Sequence, residues 1–338
     1  MPFFKRAKYT DQEDKPTSFV PLAILLVIGL FLVLNLITNL PLYIESLFIT
    51  VEHPLLFKFP IYNELLGQIV KGDYVDYGTL QKSKLLDQAL SKLSHISPDG
   101  LEDDDQRLCF LINSYNILVL KAISEKYPVQ RMDEKHLDRM GSNKYFVGGR
   151  AFSLSQIRTV QLPPLLYNKP LALFLLCDGR LGSPALLNHV ITVESLNSDA
   201  EKAARLFVAR DKNVEYDPIH KTFVLSPFFK WNEDLFIRFG GADVFANSYL
   251  PSSRRVNLAG REVLFRSFAR RFNWYLNDTA LNIQDSRSAD DTQANKPTTN
   301  ASNGSNGSNG SSSSSSSPPS DFSNVFNKID VSKSPSHK

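Results

Sequence analysis

The stretch RLCFLINSYNILVLKAISEKY, residues 107–127, predicts a helix that is apolar around almost its whole circumference. Such a helix must be enclosed by the rest of its domain. Its polar exceptions Cys109, Asn113 and Asn116 stand at i, i+4 and i+7, so they share one stripe. Asparagine is a poor residue for a buried helix unless its amide has partners. Two interpretations stay open: a structural network that fixes a neighbouring loop, or a pocket lined by these amides.

Helices and hairpins alternate around this central helix. Apolar residues at helical spacing predict helices over residues 65–70 and 85–93. The acidic run before the central helix suits a helix start, because carboxylates oppose the positive end of the helix dipole. Two hairpins are predicted from their turn residues, which are Gly148 and Gly149 in one and Asp217 and Pro218 in the other.

Four further elements complete the predicted fold. Ser153 and Gln156 predict a capping box, and Ser226 predicts a second helix start. The uninterrupted apolar run at residues 171–176 predicts a central strand covered on both faces. Residues 261–276 predict a last helix. The predicted fold class is therefore α+β, a mixed helix/sheet single globular domain.

An apolar segment near the N-terminus has the length of a membrane span. Residues 19–39 lie in an uncharged window and can cross the ~30 Å hydrocarbon layer. A cleaved signal peptide is the alternative, but it would have a shorter apolar core followed by small residues. Basic residues precede the segment, which places the N-terminus in the cytosol. We predict a cytosolic segment (1–18), a single-pass signal-anchor helix in the lipid bilayer (19–39), a juxtamembrane segment (40–60) and a lumenal or extracytoplasmic domain (61–277).

The C-terminal part, residues 278–338, is predicted to be a disordered tail. From about Asn300 it is rich in Asn, Gly and Ser and almost free of apolar residues, so it cannot offset its ordering entropy. Its N-x-Ser triplets would accept glycans in a secretory lumen, although an Asn-Gly-Ser repeat creates such triplets automatically. The candidate glycosylation sites are Asn277, Asn300, Asn303, Asn306 and Asn309.

Charge and cysteine content exclude several functional classes. The chain carries 38 basic and 35 acidic residues, so it has no strong field for nucleic acid. Its two cysteines, Cys109 and Cys177, lack the CxxC spacing of zinc sites, and we expect no metal and no cofactor. One arginine cluster does not form a single stripe and predicts a solvated helix, not a nucleic-acid surface. It comprises Arg254, Arg255, Arg261, Arg266, Arg270 and Arg271.

Several short motifs follow one another in a fixed order through the middle of the chain. They comprise Val75, Asp76, Tyr77, Ile112, Asn113, Tyr115, Asn116, Gly148, Gly149, Arg150, Ser153, Leu154, Ile157, Cys177, Pro184, Ser226, Trp231 and Asp234. In these motifs, residues 61–236 resemble the family called domain of unknown function 547. Because that family has no assigned function, the resemblance implies no activity.

The chain also departs from the family pattern. Leu111 replaces a tryptophan, Arg158 and Thr159 stand where the family has Glu-His, and Ser183 occupies the position of a second cysteine. If the family's cysteines and histidine form a thiol-dependent site, this chain has kept one thiol and lost the matched base. The histidines that remain as substitutes are His136 and His189, and a lone loop histidine is more often just solvated.

The sequence favours a non-catalytic binding or scaffold module of unknown ligand and partner. Its pocket or polar network would comprise Asn113, Tyr115, Asn116, Asp178, Arg180, Ser183, Trp231 and Asp234. The alternative is a thiol hydrolase or acyl transferase in which Cys177 is the nucleophile and Arg180 lowers its pKa. A third hypothesis pairs Cys109 with Cys177 in a redox module, which requires Cα atoms within ~7 Å.

Overall fold

The computed structural model describes residues 20–53, 57–258, 265–267 and 272–281. The chain divides into two units, Met1–Ile49 and Thr50–Lys338. The described part of the first unit is dominated by one helix, α1 (Val20–Ser46), whose described side chains are mostly exposed. It continues through Pro41 and ends seven residues beyond the predicted anchor segment 19–39.

Two described helices are long and apolar enough to cross a membrane, Ala23–Ser46 and Asp104–Ser124. The second is 83% buried within the folded unit, so it is a core helix. The helix Ala23–Ser46 buries none of its apolar window against the rest of the described chain. On length and composition alone, a membrane anchor and a signal sequence both fit α1.

The second unit combines helices with three small sheets in its described part. Its helices are α2 (Pro60–Ile69), α3 (Tyr77–Lys82), α4 (Lys84–His95), α5 (Asp104–Ser124), α6 (Glu134–Ser142), α7 (Leu154–Gln156), α8 (Pro163–Asn168), α9 (Leu196–Ala209), α10 (Pro227–Trp231), α11 (Glu233–Phe236) and α12 (Ala242–Tyr249). A π-helical turn (Ile157–Gln161) follows α7, and 3₁₀ helices span Pro98–Gly100, Pro170–Leu175, Ile237–Phe239 and Ser252–Arg254.

The strands form two hairpins and one three-stranded sheet. They are β1 (Val70–Lys71), β2 (Tyr74–Val75), β3 (Lys144–Val147), β4 (Arg150–Ser153), β5 (Val214–Asp217), β6 (Thr222–Leu225) and β7 (Phe265–Ser267). β1 pairs with β2, β3 with β4 and β5 with β6, all antiparallel, and β7 joins β6 in parallel. The mixed α+β composition agrees with the prediction.

Helix α5 forms the centre of the core, as its apolar sequence predicts. Asp103 caps it by accepting a hydrogen bond from the Gln106 backbone N–H at 3.2 Å, and acidic residues fill the first turn. Nearly every residue from Leu108 to Ile123 is buried. Helices α3, α4, α6, α7 and α8 all contact α5, which is how the domain encloses an apolar cylinder.

The two predicted hairpins, β3–β4 and β5–β6, form where expected, and so do the predicted helix starts at Ser153 and Ser226. Gly148 and Gly149 have φ values of 57° and 72° in the β3–β4 turn, and a Cβ on Gly148 would lie 2.5 Å from the Ser97 Cα. Ser153 and Gln156 make the reciprocal capping box, and the Ser226 hydroxyl accepts a hydrogen bond from the Phe228 N–H at 3.3 Å. Local turn and cap chemistry therefore decides these elements.

The predicted central strand at residues 171–176 is wrong. Pro170–Leu175 is a 3₁₀ helix that begins at its proline, and Leu176 donates its N–H to the Leu173 carbonyl at 3.3 Å. The run is buried, with the Phe174 ring 5.4 Å from that of Phe207 on α9. A short apolar run indicates burial but cannot separate a strand from a helical turn, and Pro at the first position favours the turn.

The predicted last helix over residues 261–276 is also wrong in its described part. Residues 272–278 are extended, and Tyr275, Leu276 and Asp278 form bridges with Arg131, Arg180 and Val75. These long-range pairings override the helical spacing of the aromatic residues. Leu281, four residues beyond the predicted domain boundary at residue 277, packs against the core.

Candidate functional site

The Asn113 side chain ties α5 to the loop before α9. Its Nδ2 donates to the carbonyls of Cys109 at 2.9 Å and Ile191 at 2.8 Å, and its Oδ1 accepts from the Ile191 N–H at 3.0 Å. The residue is 1% exposed. Each amide group thus has a main-chain partner, which a buried amide requires.

Asn116 has the same role about a turn further along the stripe. Its Nδ2 donates to the Leu175 carbonyl at 2.9 Å, and its Oδ1 accepts from the Cys177 N–H at 3.0 Å. Both amides are therefore committed to fixing loops. This geometry supports the structural network and not an amide-lined pocket.

Cys177 is a buried, protonated thiol. It is 3% exposed, and its Sγ accepts a hydrogen bond from the Gly179 N–H at 3.4 Å. Burial raises its pKa to about 12 and Asp178 adds to the rise, while the Gly179 N–H and Arg180 oppose it. The predicted lowering of the pKa by Arg180 thus exists, but burial outweighs it.

Other candidate partners of the thiol are engaged elsewhere. His136 hydrogen-bonds Asp133 at 2.7 Å, and His189 hydrogen-bonds Asp199 at 3.1 Å. Cys109 is also free and buried, and burial raises its pKa to about 12. It faces a separate, largely apolar cavity of ≈ 380 Å³, lined in part by Phe57 and Phe110. The two thiols form no disulfide.

A second cavity, of ≈ 120 Å³, brings four predicted residues together. They are Tyr115, Asp178, Arg180 and Trp231. Arg158 and Thr159, which replace the family's Glu-His, line the same cavity. We call it the arginine pocket, after Arg158 and Arg180. Its walls come from α5, α6, α7, the π-helical turn, the turn after Cys177 and the end of α10.

Arg180 and Asp178 form a bidentate ion pair at this pocket. Arg180 Nε donates to Asp178 Oδ1 at 2.9 Å, and Nη2 donates to Oδ2. Burial raises the pKa of Asp178, but the charge and hydrogen bonds of Arg180, with the Ser183 hydroxyl, outweigh burial and hold it below its ordinary value. Asp178 is therefore a carboxylate at neutral pH.

Aromatic rings surround the Arg180 guanidinium. Its central carbon lies 4.5 Å from the ring centroid of Phe272, 4.9 Å from that of Trp274 and 5.9 Å from that of Trp231. These distances suit cation–π attraction. Nη1 of Arg180 is buried and has no hydrogen-bond partner. The side chain thus keeps unused donor capacity beside the pocket.

Arg158 carries the second positive charge. It is half-buried, and its Nη2 donates to the neutral Asn232 Oδ1 at 2.9 Å. Among the described residues no carboxylate forms an ion pair with it. Burial lowers its pKa, Tyr115 and Asp178 oppose this, and Arg180 adds to it. The π-helical turn that carries Arg158 is a rare local structure that often occurs at functional sites.

Residues 98–208 match the family model described as "Protein of unknown function, DUF547". The resemblance seen in the motifs is thereby confirmed over this stretch, which we call the DUF547 segment. It holds α5, the π-helical turn and the turn with Cys177, and therefore both pocket arginines. Comparison with curated proteins and with solved structures found no match.

Two other predicted site residues are not among those that line the arginine pocket. Ser183 is buried and its hydroxyl donates to the Arg180 carbonyl at 2.7 Å, so it braces the turn. Asp234 is exposed on α11, beyond the DUF547 segment. Within the residues that the structure describes, no group of three or more His, Cys, Asp or Glu side chains is placed to hold a metal ion.

The sequence did not identify Arg158, Asn232, Phe272 or Trp274 as site residues. For Arg158 a signal existed, because it stands where the family motif has a polar pair. The other three reach the site from beyond the DUF547 segment, through chain folding alone.

One predicted glycosylation site lies in the interior. Asn277 is 1% exposed, and its Oδ1 accepts a hydrogen bond from the Tyr77 hydroxyl at 2.9 Å. A glycan at this position would require the residue to leave the core, so glycosylation of Asn277 is incompatible with its buried position. The other candidates, Asn300, Asn303, Asn306 and Asn309, lie outside the described residues.

Proposed function

We propose that this protein is a membrane-anchored, non-catalytic binding module whose arginine pocket receives the ligand. The observation that carries the proposal is the separation of two features. Four predicted residues converge on one cavity, whereas the thiol that catalysis would need is buried and is not among the cavity's lining residues.

The state of Cys177 argues against the thiol-enzyme alternative. A catalytic cysteine needs a lowered pKa or a neighbouring base. Here the pKa is about 12, and the described hydrogen-bond partner of Sγ is the Gly179 N–H. At pH 7 only about one thiol in 10⁵ would be ionised.

Thiol labelling of the full-length chain in neutral detergent tests this aspect of the proposal. A small alkylating reagent at pH 7–9 is expected to leave Cys177 and Cys109 unmodified until the protein is denatured. Variants Cys177→Ser and Cys109→Ser assign the labelled positions. Rapid native labelling of Cys177 with an apparent pKa well below ~8.5 would replace the binding module with a thiol enzyme.

The membrane anchor rests on α1 and on the charges around it. The helix is apolar and unburied, and basic residues concentrate before it. We propose that it is retained, with the N-terminus cytosolic and the folded unit extracytoplasmic. Alkaline extraction of membranes should leave the full-length chain in the pellet, and added protease should reach only its N-terminal end from the cytosolic side. A shortened, extractable chain would instead identify a cleaved signal peptide.

A further inference from the structure

We infer that the arginine pocket binds a compact oxyanion: a carboxylate, phosphate or sulfate group held by Arg158, with Arg180 and Tyr115 beside it. This inference rests on the proposed function, because it names the ligand class of the same pocket. It follows from the pocket's charge balance, its unused donors and its size.

The charge balance leaves Arg158 uncompensated. Asp178 lines the pocket but is committed to Arg180 through two side-chain hydrogen bonds. Asp138 also lines the pocket, yet it is exposed and forms no ion pair with Arg158. Arg158 is half-buried and its hydrogen-bond partner is a neutral amide, so it loses hydration and gains only the attraction of Asp178, which is already paired with Arg180. An entering anion would supply a counter-charge.

Two of the polar residues beside Arg158, Arg180 and Tyr115, carry hydrogen-bond donors. Arg180 Nη1 is buried without a partner. Tyr115 lines the pocket, and burial raises its pKa to about 12, so at neutral pH its hydroxyl keeps its proton. Asn232 accepts from Arg158 and donates to the Phe228 carbonyl at 2.8 Å, which fixes the guanidinium plane. Fixed guanidinium planes favour oxyanions, which they bind with two parallel hydrogen bonds.

The size of the pocket limits the occupant. Its volume of ≈ 120 Å³ is well below the ~300–1,000 Å³ of pockets for drug-sized ligands. The volume suits a single oxyanion group, and the aromatic wall at Trp231 would contact whatever apolar part is attached to it. Apolar ligands would leave Arg158 unpaired, and cations would be repelled by it.

Titration calorimetry on the full-length protein in neutral detergent tests the inference. Inorganic phosphate and acetate are the probes, with chloride at constant ionic strength as reference, because ionic strength screens charges. We expect saturable binding of at least one probe, and the two arms separate phosphate-type from carboxylate-type ligands. At a concentration ten times the dissociation constant, bound probe should raise Tm by roughly 3–6 °C.

Arg158→Gln should weaken this binding at least tenfold. Arg205→Gln is the matched control, since it removes one positive charge from an exposed helix position outside the pocket. Arg158→Gln should also keep or raise the Tm of the unliganded protein, because it removes an uncompensated charge; a purely structural arginine would lower it. Equal binding by both variants, or no saturable binding of either probe, would overturn the inference that the arginine pocket binds an oxyanion. The thiol-labelling experiment separates this failure from failure of the proposed function. If oxyanions do not bind and the native thiols are unreactive, only the ligand class is wrong. If Cys177 is reactive in the native protein, the proposal of a non-catalytic binding module is wrong.

Discussion

The Asn116 amide holds the backbone of Cys177 in place: Oδ1 of Asn116 accepts the Cys177 N–H at 3.0 Å, while Nδ2 donates to the Leu175 carbonyl at 2.9 Å. One side chain of the central helix thus fixes the point where the 3₁₀ helix ends and the turn of the arginine pocket begins. The asparagines at this stripe are loop anchors, and their position explains why an apolar helix carries them.

Asn116→Ala should destabilise the folded unit by about 2–6 kcal/mol. The substitution leaves a buried N–H and a buried carbonyl without partners, at about 1–3 kcal/mol each. Urea unfolding of the full-length chain measures the free energy of unfolding. Asn188→Ala, at an exposed asparagine, is the control and should change it by less than about 0.5 kcal/mol. An equally small change for Asn116→Ala would contradict the anchoring role.

Asp178→Asn should destabilise the protein by about 3–5 kcal/mol at neutral pH, because it leaves the buried Arg180 charge without its carboxylate. The pKa of Asp178 is lowered in the folded state. The stability it provides is therefore complete above its unfolded pKa of ~3.9 and is lost as the pH falls through the lower folded value.

The deficit of Asp178→Asn should accordingly shrink below about pH 4. Unfolding curves at several pH values check this, with Asp87→Asn as control, since Asp87 is exposed and its contact with Lys121 is 3.7 Å long. If Asp178→Asn lost the same free energy of unfolding at every pH, the charge of the carboxylate would not be the source of the stabilisation.

Gly179→Ala should cost about 2 kcal/mol or more. Gly179 has φ +81°, and an added Cβ would clash with Cδ1 of Ile123 on α5. Gly67→Ala serves as the opposite case, because Gly67 lies within α2 with no atom within 4 Å of an added Cβ. That change should stabilise by about 0.5–1 kcal/mol. Thermal unfolding of the two variants measures both changes. If Gly179→Ala did not lower Tm, the turn at residue 179 would be free to adapt, which would contradict the prediction.

Alkaline pH should destabilise the wild-type protein more than Cys177→Ala. The folded thiol has a pKa of about 12, above the ordinary value of 9.0. A raised folded pKa means that the stability is present below the unfolded pKa and is lost as the pH rises toward the folded one. The free energy of unfolding should therefore fall more steeply between about pH 9 and 11 in the wild type. Parallel pH dependences would place the thiolate in solvent.

Sequence reasoning succeeded where local chemistry decides the structure. The apolar circumference of residues 107–127 was sufficient to predict the enclosed helix α5, and Ser153 with Gln156 was sufficient to predict the capping box of α7. It failed where partners are distant. The run at Pro170–Leu175 revealed burial but not conformation, and residues 272–278 take their extended form from pairing with distant parts of the chain.

The site was predicted in the same uneven way. Tyr115, Asp178, Arg180 and Trp231 came from the motifs, and the structure brings them to one pocket. Arg158 stood out only as a departure from the family pattern. That it shares a pocket with Arg180 depends on the packing of the π-helical turn, and the sequence contains no local signal for that packing.

The extended segment at residues 272–278 has a consequence for how the protein is made. Phe272 and Trp274 complete the ring wall around Arg180, although they lie more than sixty residues beyond the DUF547 segment. A ribosome must therefore synthesise nearly the whole described chain before Arg180 can be covered. Until then, the rings of Phe272 and Trp274 cannot contact the guanidinium, so the surroundings of Arg180 are completed only when the last described residues have been synthesised.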